Sequence, residues 1–110
     1  MNFVNFEVGN KTYRLRLSTR NIVMLEKQLG CNPLSIFGPN YDSVPTITQM
    51  VAILHASLQQ YNHSISLTDA YDIFDEYLAE GNATTDFLTV IIDIYRASGI
   101  IPKDEEVKNA

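Results

Sequence analysis

The stretch that decides the fold is VNFEVGNKTYRLRLSTRNIVMLEKQLG, residues 4–30. In its first half, apolar and polar residues alternate on both sides of Gly9-Asn10, which is the period of a half-buried β-strand. Gly9-Asn10 supplies the positive φ that a two-residue hairpin turn requires. A turn at this position aligns two apolar pairs on one face: Phe6 with Tyr13, and Val4 with Leu15. Residues 2–17 are therefore predicted to form a β-hairpin whose apolar face packs on helices.

The second half of this stretch changes to the spacing of an amphipathic helix. Ser18 or Thr19 is a good N-cap, and Gly30 takes the left-handed conformation that ends a helix. Between them, apolar residues recur three or four positions apart: Ile22, Leu25 and Leu29. The first helix is therefore predicted from about Ser18 to Gly30, with a loop from 38 to 45.

Three more helices are predicted, each from a capping residue and an apolar stripe. The second begins at Thr46, with Gln49 in the capping-box position, and the third begins at Ser66 and ends at Gly81. The fourth runs from about 84 to 98. The predicted inward stripes are Ile47, Met50, Val51, Leu54, Leu58 and Tyr61 in the second helix, and Leu67, Ala70, Tyr71, Phe74 and Leu78 in the third.

These elements predict a mainly α fold, with an N-terminal β-hairpin followed by a compact bundle of about four helices. The 110 residues fit one domain. Its expected extent is 1–99, with the hairpin at 2–17 and the helices at 18–99. Residues 100–110 are predicted to form a flexible, charged C-terminal tail.

The charge balance excludes several classes of partner. The formal net charge is −5 and the sequence pI is about 4.8, with no basic cluster. Nucleic acids and anionic membrane surfaces both require cations, so neither is an expected partner. No apolar run approaches the ~20 residues of a membrane span, and the first residues lack the features of a signal peptide. We therefore expect a cytoplasmic protein.

The residue types that carry chemistry are scarce. Cys31 is the single cysteine, and the two histidines, His55 and His63, form no zinc motif with it. His55 is either a general base or ligand, or a partly buried structural histidine. The second interpretation is preferred, because no serine or cysteine has an evident local link to it. We expect no catalytic residue, cofactor or metal ion.

Acidic residues cover one face of the third helix: Asp69, Asp72, Asp75, Glu76 and Glu80. Three interpretations stay open, namely a divalent-cation site, a docking face for a basic partner and a solvated face. A cation site would need oxygen ligands converging from a second element, and no EF-hand spacing is present.

Two helices suggest contact with another chain. Between Asp42 and Asp69 there is no Asp, Glu, Lys or Arg. The outer face of the second helix, represented by Gln49, Ala56 and Gln60, is therefore predicted to be covered by a partner or a second subunit, because interfaces are depleted in charge. A neutral solvated face is the alternative. In the fourth helix, either an edge of Leu88, Ile92 and Tyr95 joins another chain, or the helix is the centre of the bundle.

Two long segments carry a resemblance to a known family. They are NKTYRLRLSTRNIVMLEKQLGCNPLSIF (Asn10–Phe37) and PTITQMVAILHASLQQYNHSISLTDAYDIFDEYLAEG (Pro45–Gly81). They resemble tail assembly chaperones of long-tailed bacteriophages and prophages of Gram-positive bacteria. In that family, K-x-Y-x-L-R-L leads into S/T-T-R-x-I-V-x-L-E-K-x-L-G and then N-P-L-x-I-F. The likeness extends over about Asn10 to Gly99 and consists of packing and capping patterns.

The resemblance implies a non-catalytic protein that binds the tape measure protein, keeps it soluble and recruits tail tube protein. Many such genes also make a longer product by programmed ribosomal frameshifting, which would extend the chain after Gly99. Such a protein works in the cytoplasm of the bacterial host and is absent from the mature virion. It would act as many copies, so a homo-oligomer is one expectation.

Three other functions compete with this one. A small structural adaptor of the phage tail or connector makes similar demands on the sequence. A helix-turn-helix regulator is disfavoured, because its recognition helix would be the acidic third helix, which phosphates repel. An enzyme would have to work without a recognisable nucleophile, metal site or phosphate-binding loop.

Overall fold

The computed structural model describes residues 2–103 and confirms the mainly α fold with an N-terminal hairpin. The hairpin consists of β1 (Val4–Val8) and β2 (Lys11–Leu15). The helices are α1 (Thr19–Leu29), α2 (Ile47–Leu58), α3 (Leu67–Ala79) and α4 (Phe87–Ala97). Short 3₁₀ turns occupy Pro33–Phe37 and Thr84–Asp86.

The hairpin has the predicted register, with Phe6 opposite Tyr13 and Val4 opposite Leu15. Gly9 lies at the turn with a φ of 62°. Its backbone N–H donates a hydrogen bond to the Glu80 carboxylate at the end of α3. A Cβ at Gly9 would collide with a carboxylate oxygen of Glu76. That carboxylate is the far end of a flexible, exposed side chain and can move, so the positive φ of the turn is the reason for glycine here.

The helix starts follow the predicted capping residues. Ser18 caps α1 by accepting a hydrogen bond from the N–H of Asn21. Thr46 forms a capping box with Gln49, at 2.8 and 3.1 Å. Ser66 forms one with Asp69 in the same way. These local bonds satisfy N–H groups that the first turn of a helix leaves free, and they fix where each helix begins.

The centre of the core is α2, which packs against α1, α3, α4 and β2. Its buried residues point in every direction around the helix: Met50, Val51, Ala52, Ile53, Leu54, Ala56, Ser57 and Leu58. The predicted single inward stripe of this helix is therefore wrong. Ile47 and Tyr61, which belonged to that stripe, are exposed at the two ends of the segment. A helix that is apolar all round is one that is covered on all sides.

An aromatic cluster joins the hairpin to the last two helices. Phe6 lies 5.2 Å from Tyr77 and 5.7 Å from Phe87, measured between ring centroids. Phe74 lies 5.1 Å from Phe87. Phe6–Phe87 and Phe74–Phe87 are edge-to-face pairs, and contacts of this kind favour one arrangement of β1, α3 and α4.

The C-terminal end of α4 is tied to the rest of the core. Tyr95 is completely buried, and its hydroxyl donates a 2.9 Å hydrogen bond to the carbonyl of Pro33. After the helix, Ile100 and Ile101 also pack against the core. The core thus extends beyond residue 99, where the sequence placed the domain boundary. The predicted tail over residues 104–110 lies outside the described residues.

Candidate protein-binding surface

The six residues predicted to contact a partner have very different exposure. Ala56 is 6% exposed and Tyr95 is 0% exposed, so neither can form part of an accessible surface in this fold. Their burial corrects both assignments, since α2 lacks charge because the chain's own helices cover it. The other four, which remain at least partly exposed, are Gln49, Gln60, Leu88 and Ile92.

Two of these four residues already have partners within the chain. The Gln49 amide oxygen accepts the hydrogen bond that completes the α2 capping box. The Gln60 amide oxygen accepts a 3.0 Å hydrogen bond from the Arg16 guanidinium. Leu88 is partly buried against the core and Ile92 is partly buried, so an interchain role for this edge of α4 stays a prediction.

An apolar groove lies between α2 and α3, where the sequence did not predict a site. Its volume is about 350 Å³. Ile47 and Tyr71 face it with 52% and 47% of their surfaces exposed. The other residues that line it are Val51, Asp72, Phe74, Asp75 and Leu78. We call this surface the α2/α3 groove. Two large, half-exposed apolar side chains in one concave site are typical of a protein-binding surface.

The α2/α3 groove exists because α3 carries two overlapping apolar stripes. One stripe enters the core and consists of Ala70, Ile73, Phe74 and Tyr77. The other is most of the stripe predicted to face inward: Leu67, Tyr71, Phe74 and Leu78. That prediction is wrong for Tyr71, which is 47% exposed because the aromatic cluster takes Tyr77 into the core. Phe74 is buried, and Leu67 and Leu78 are partly buried against the core. The surplus of apolar positions in α3 is the sequence signal that could have revealed the groove.

The two walls of the α2/α3 groove differ in charge. Asp72 and Asp75 line it from α3, and both are exposed. The α2 side contributes no charged residue. Moreover, every charged residue between Lys27 and Arg96 is acidic. The groove is therefore apolar along its floor and negatively charged along one edge.

A larger groove, about 620 Å³ in volume, separates the hairpin from α3. Its walls are mostly polar, with Lys11 and Thr12 on one side and Asp69 and Glu76 on the other. Hydrogen bonds from the backbone N–H and hydroxyl of Ser66 lower the pKa of Asp69. That carboxylate is therefore occupied in holding the start of α3.

The exposed face of α1 forms a second apolar surface. Val23 and Met24 are 43% and 56% exposed. Arg20 and Lys27, also exposed, lie one turn before and after them on the same face. We call these four residues the α1 ridge. The ridge lies on the opposite side of the helix from Leu25, which is completely buried.

The two histidines and the single cysteine are the remaining groups that could carry chemistry. His55 is partly buried on α2, and this burial lowers the pKa of its imidazole. Within residues 2–103, no group of three or more His, Cys, Asp or Glu side chains is arranged to hold a metal ion. No helix in the described part of the chain is long and apolar enough to cross a membrane.

Comparison with known proteins gives one match. A family model matches residues 3–110, and the description of that family is a family of unknown function, DUF6096. No curated protein and no solved structure matches the chain.

Proposed function

The chain belongs to the DUF6096 family of unknown function, and we propose that it is a phage tail assembly chaperone that binds the tape measure protein. In this proposal it is not an enzyme. It keeps the tape measure protein soluble, helps to recruit tail tube protein, and leaves before the virion is complete. Its place of action is the cytoplasm of the bacterial host.

The observation that carries the proposal is the apolar surface around the α2/α3 groove. Ile47 and Tyr71 are both exposed there, although the fold has a well-formed core that could have covered them. Exposed apolar surface in a small protein favours aggregation unless a partner covers it. A tape measure protein is long and largely helical, and it presents apolar helix faces until the tail tube encloses it. A groove between two helices is suited to such a helix face.

The resemblance of residues 10–99 to tail assembly chaperones is the second support for the proposal. The resemblance indicates which protein is the partner, whereas the groove indicates only a surface suited to binding a protein. The two supports overlap in the chain, because the residues that line the groove all lie within the resembling segment Pro45–Gly81.

Co-expression with the tape measure protein of the same phage or prophage tests the proposal. The tape measure protein should be recovered in the soluble fraction, bound to this chain, and should aggregate when expressed alone. Recovery of insoluble tape measure protein in both cases would contradict the proposal.

Mass spectrometry of purified virions separates a chaperone from a structural adaptor of the tail or connector. A chaperone should be missing from mature particles. Detection of the chain in a fixed ratio to the tail proteins would favour the adaptor and contradict the proposed role.

A further inference from the structure

We infer that the α2/α3 groove of one molecule receives the α1 ridge of a second copy, so that the free protein associates head to tail. This inference goes beyond the proposed function, because it assigns the groove a second occupant in the free protein, when no tape measure protein is bound. The two surfaces are the groove defined by Ile47 and Tyr71, and the ridge formed by Arg20, Val23, Met24 and Lys27.

The ridge and the groove match in apolar character. Val23 and Met24 are adjacent in sequence and project from the outer face of α1. Ile47 and Tyr71 are half-exposed on the two sides of a concave site. Methionine has a flexible, polarisable side chain that adapts to aromatic surfaces such as that of Tyr71. Docking of the ridge would cover the exposed apolar side chains on both surfaces.

The ridge and the groove also match in charge. Arg20 and Lys27 flank the two apolar residues of the ridge at both ends, with the spacing i, i+3, i+4, i+7 over the four positions. Asp72 and Asp75 lie along the groove. Most of the positive charge of the chain precedes residue 28, and all charge from there to Tyr95 is negative. Contact between opposite charges orients two copies and disfavours ridge–ridge and groove–groove pairing.

The fold prevents the α1 ridge of a molecule from entering the α2/α3 groove of the same molecule. The ridge faces away from the core, on the side of α1 opposite Leu25. Helices α1 and α3 each pack against α2 and make little contact with each other. A contact between two different surface patches does not close on itself after two copies, so it builds chains or rings. Each surface presents only two large exposed apolar side chains, so association should be weak and should depend on concentration and salt.

Reciprocal charge reversal tests the pairing on the full-length protein. Sedimentation velocity of the wild type should show larger species as the concentration rises, and high salt should weaken them. The ridge variant Arg20→Glu/Lys27→Glu and the groove variant Asp72→Lys/Asp75→Lys should each weaken self-association at least about tenfold. Glu26→Gln, which lies on α1 outside the ridge, is the control and should associate as the wild type does.

Mixing the two charge-reversed variants is the decisive step. Each surface then meets the opposite charge on the other variant, so the mixture should associate like the wild type. The inference is overturned if the wild type stays monomeric at high concentration, or if either variant associates normally. It is also overturned if the folded variants, checked by circular dichroism, fail to associate when mixed.

The tape measure protein separates this inference from the proposed function. If both charge-reversed variants still keep the tape measure protein soluble while self-association is lost and is restored on mixing, the inference stands. If the wild type is always monomeric but the groove variant no longer binds the tape measure protein, the groove belongs to that partner and the inference fails. The proposed function would survive that second result.

Discussion

Helices α2 and α3 pack against each other, but they differ in the origin of their surface pattern. Helix α2 has no charge because α1, α3, α4 and β2 surround it. Helix α3 has many carboxylates, yet it exposes Tyr71 between them. The absence of charge therefore marks the interior of this molecule. Its candidate binding surface is marked by large apolar side chains that stay exposed among charged ones.

The largest expected effect on stability tests whether α2 is the centre of the core. Ala56→Glu places a carboxylate at a buried site with no partner and should lower the free energy of unfolding by at least about 3 kcal/mol. Gln60→Glu lies one turn farther along the chain, is exposed, and keeps an acceptor for Arg16, so it should change stability by less than about 0.5 kcal/mol. Urea denaturation of both variants checks this. Equal stability of the two variants would mean that Ala56 is not covered.

Two tyrosines give the next comparison, because one is buried and the other is exposed. Tyr95→Phe removes the hydroxyl that satisfies the buried carbonyl of Pro33 and should cost about 1–2 kcal/mol of folding stability. Tyr71→Phe should be neutral within about 0.5 kcal/mol, since its ring is half-exposed. Thermal and urea unfolding measure both. A neutral Tyr95→Phe variant would contradict the buried hydrogen bond.

The helix caps should show that α2 and α3 are similar at their starts. Thr46→Ala and Ser66→Ala each remove one half of a capping box at an exposed position. Each should lower the free energy of unfolding by about 1 kcal/mol. The difference in surface pattern between α2 and α3 would then arise from the sides of the helices and not from their starts. If only one of the two variants lost much more stability than this, its capping residue would also support packing.

The smallest effect concerns His55 on α2. Burial lowers the pKa of its imidazole below the ordinary value of 6.5, so protonation favours the unfolded state. Stability should therefore decrease as the pH falls through 6.5 and below. His55→Gln should reduce this decrease, as measured by urea unfolding at neutral and mildly acidic pH. His63→Gln, at an exposed turn position, is the matched control. An unchanged pH dependence in His55→Gln would contradict this assignment.

The elements that the sequence predicted well depend on few neighbouring residues. The turn at Gly9 follows from the positive φ that glycine allows, and the starts of α2 and α3 follow from Thr46 and Ser66 with their third neighbours. Such features are local, so a single sequence contains all the information that determines them.

The lateral faces were less predictable, because they depend on distant parts of the chain. Periodicity shows that α3 has apolar positions, but two stripes share Phe74, and the sequence does not show which one enters the core. The aromatic partners from β1 and α4 decide in favour of Tyr77. In the same way, a lack of charge around Ala56 is compatible with burial by the same chain or by another one. The α2/α3 groove was therefore missed.

The central claim is the proposal that the α2/α3 groove binds the tape measure protein through its exposed residues Ile47 and Tyr71. The most direct test compares Ile47→Gln/Tyr71→Gln with Tyr41→Asn, an exposed position in the loop before α2, in co-expression with the tape measure protein. Both variants should fold with nearly wild-type stability. We expect the tape measure protein to stay soluble with Tyr41→Asn and to aggregate with the groove variant. A folded groove variant that keeps the tape measure protein as soluble as the wild type does would contradict the claim.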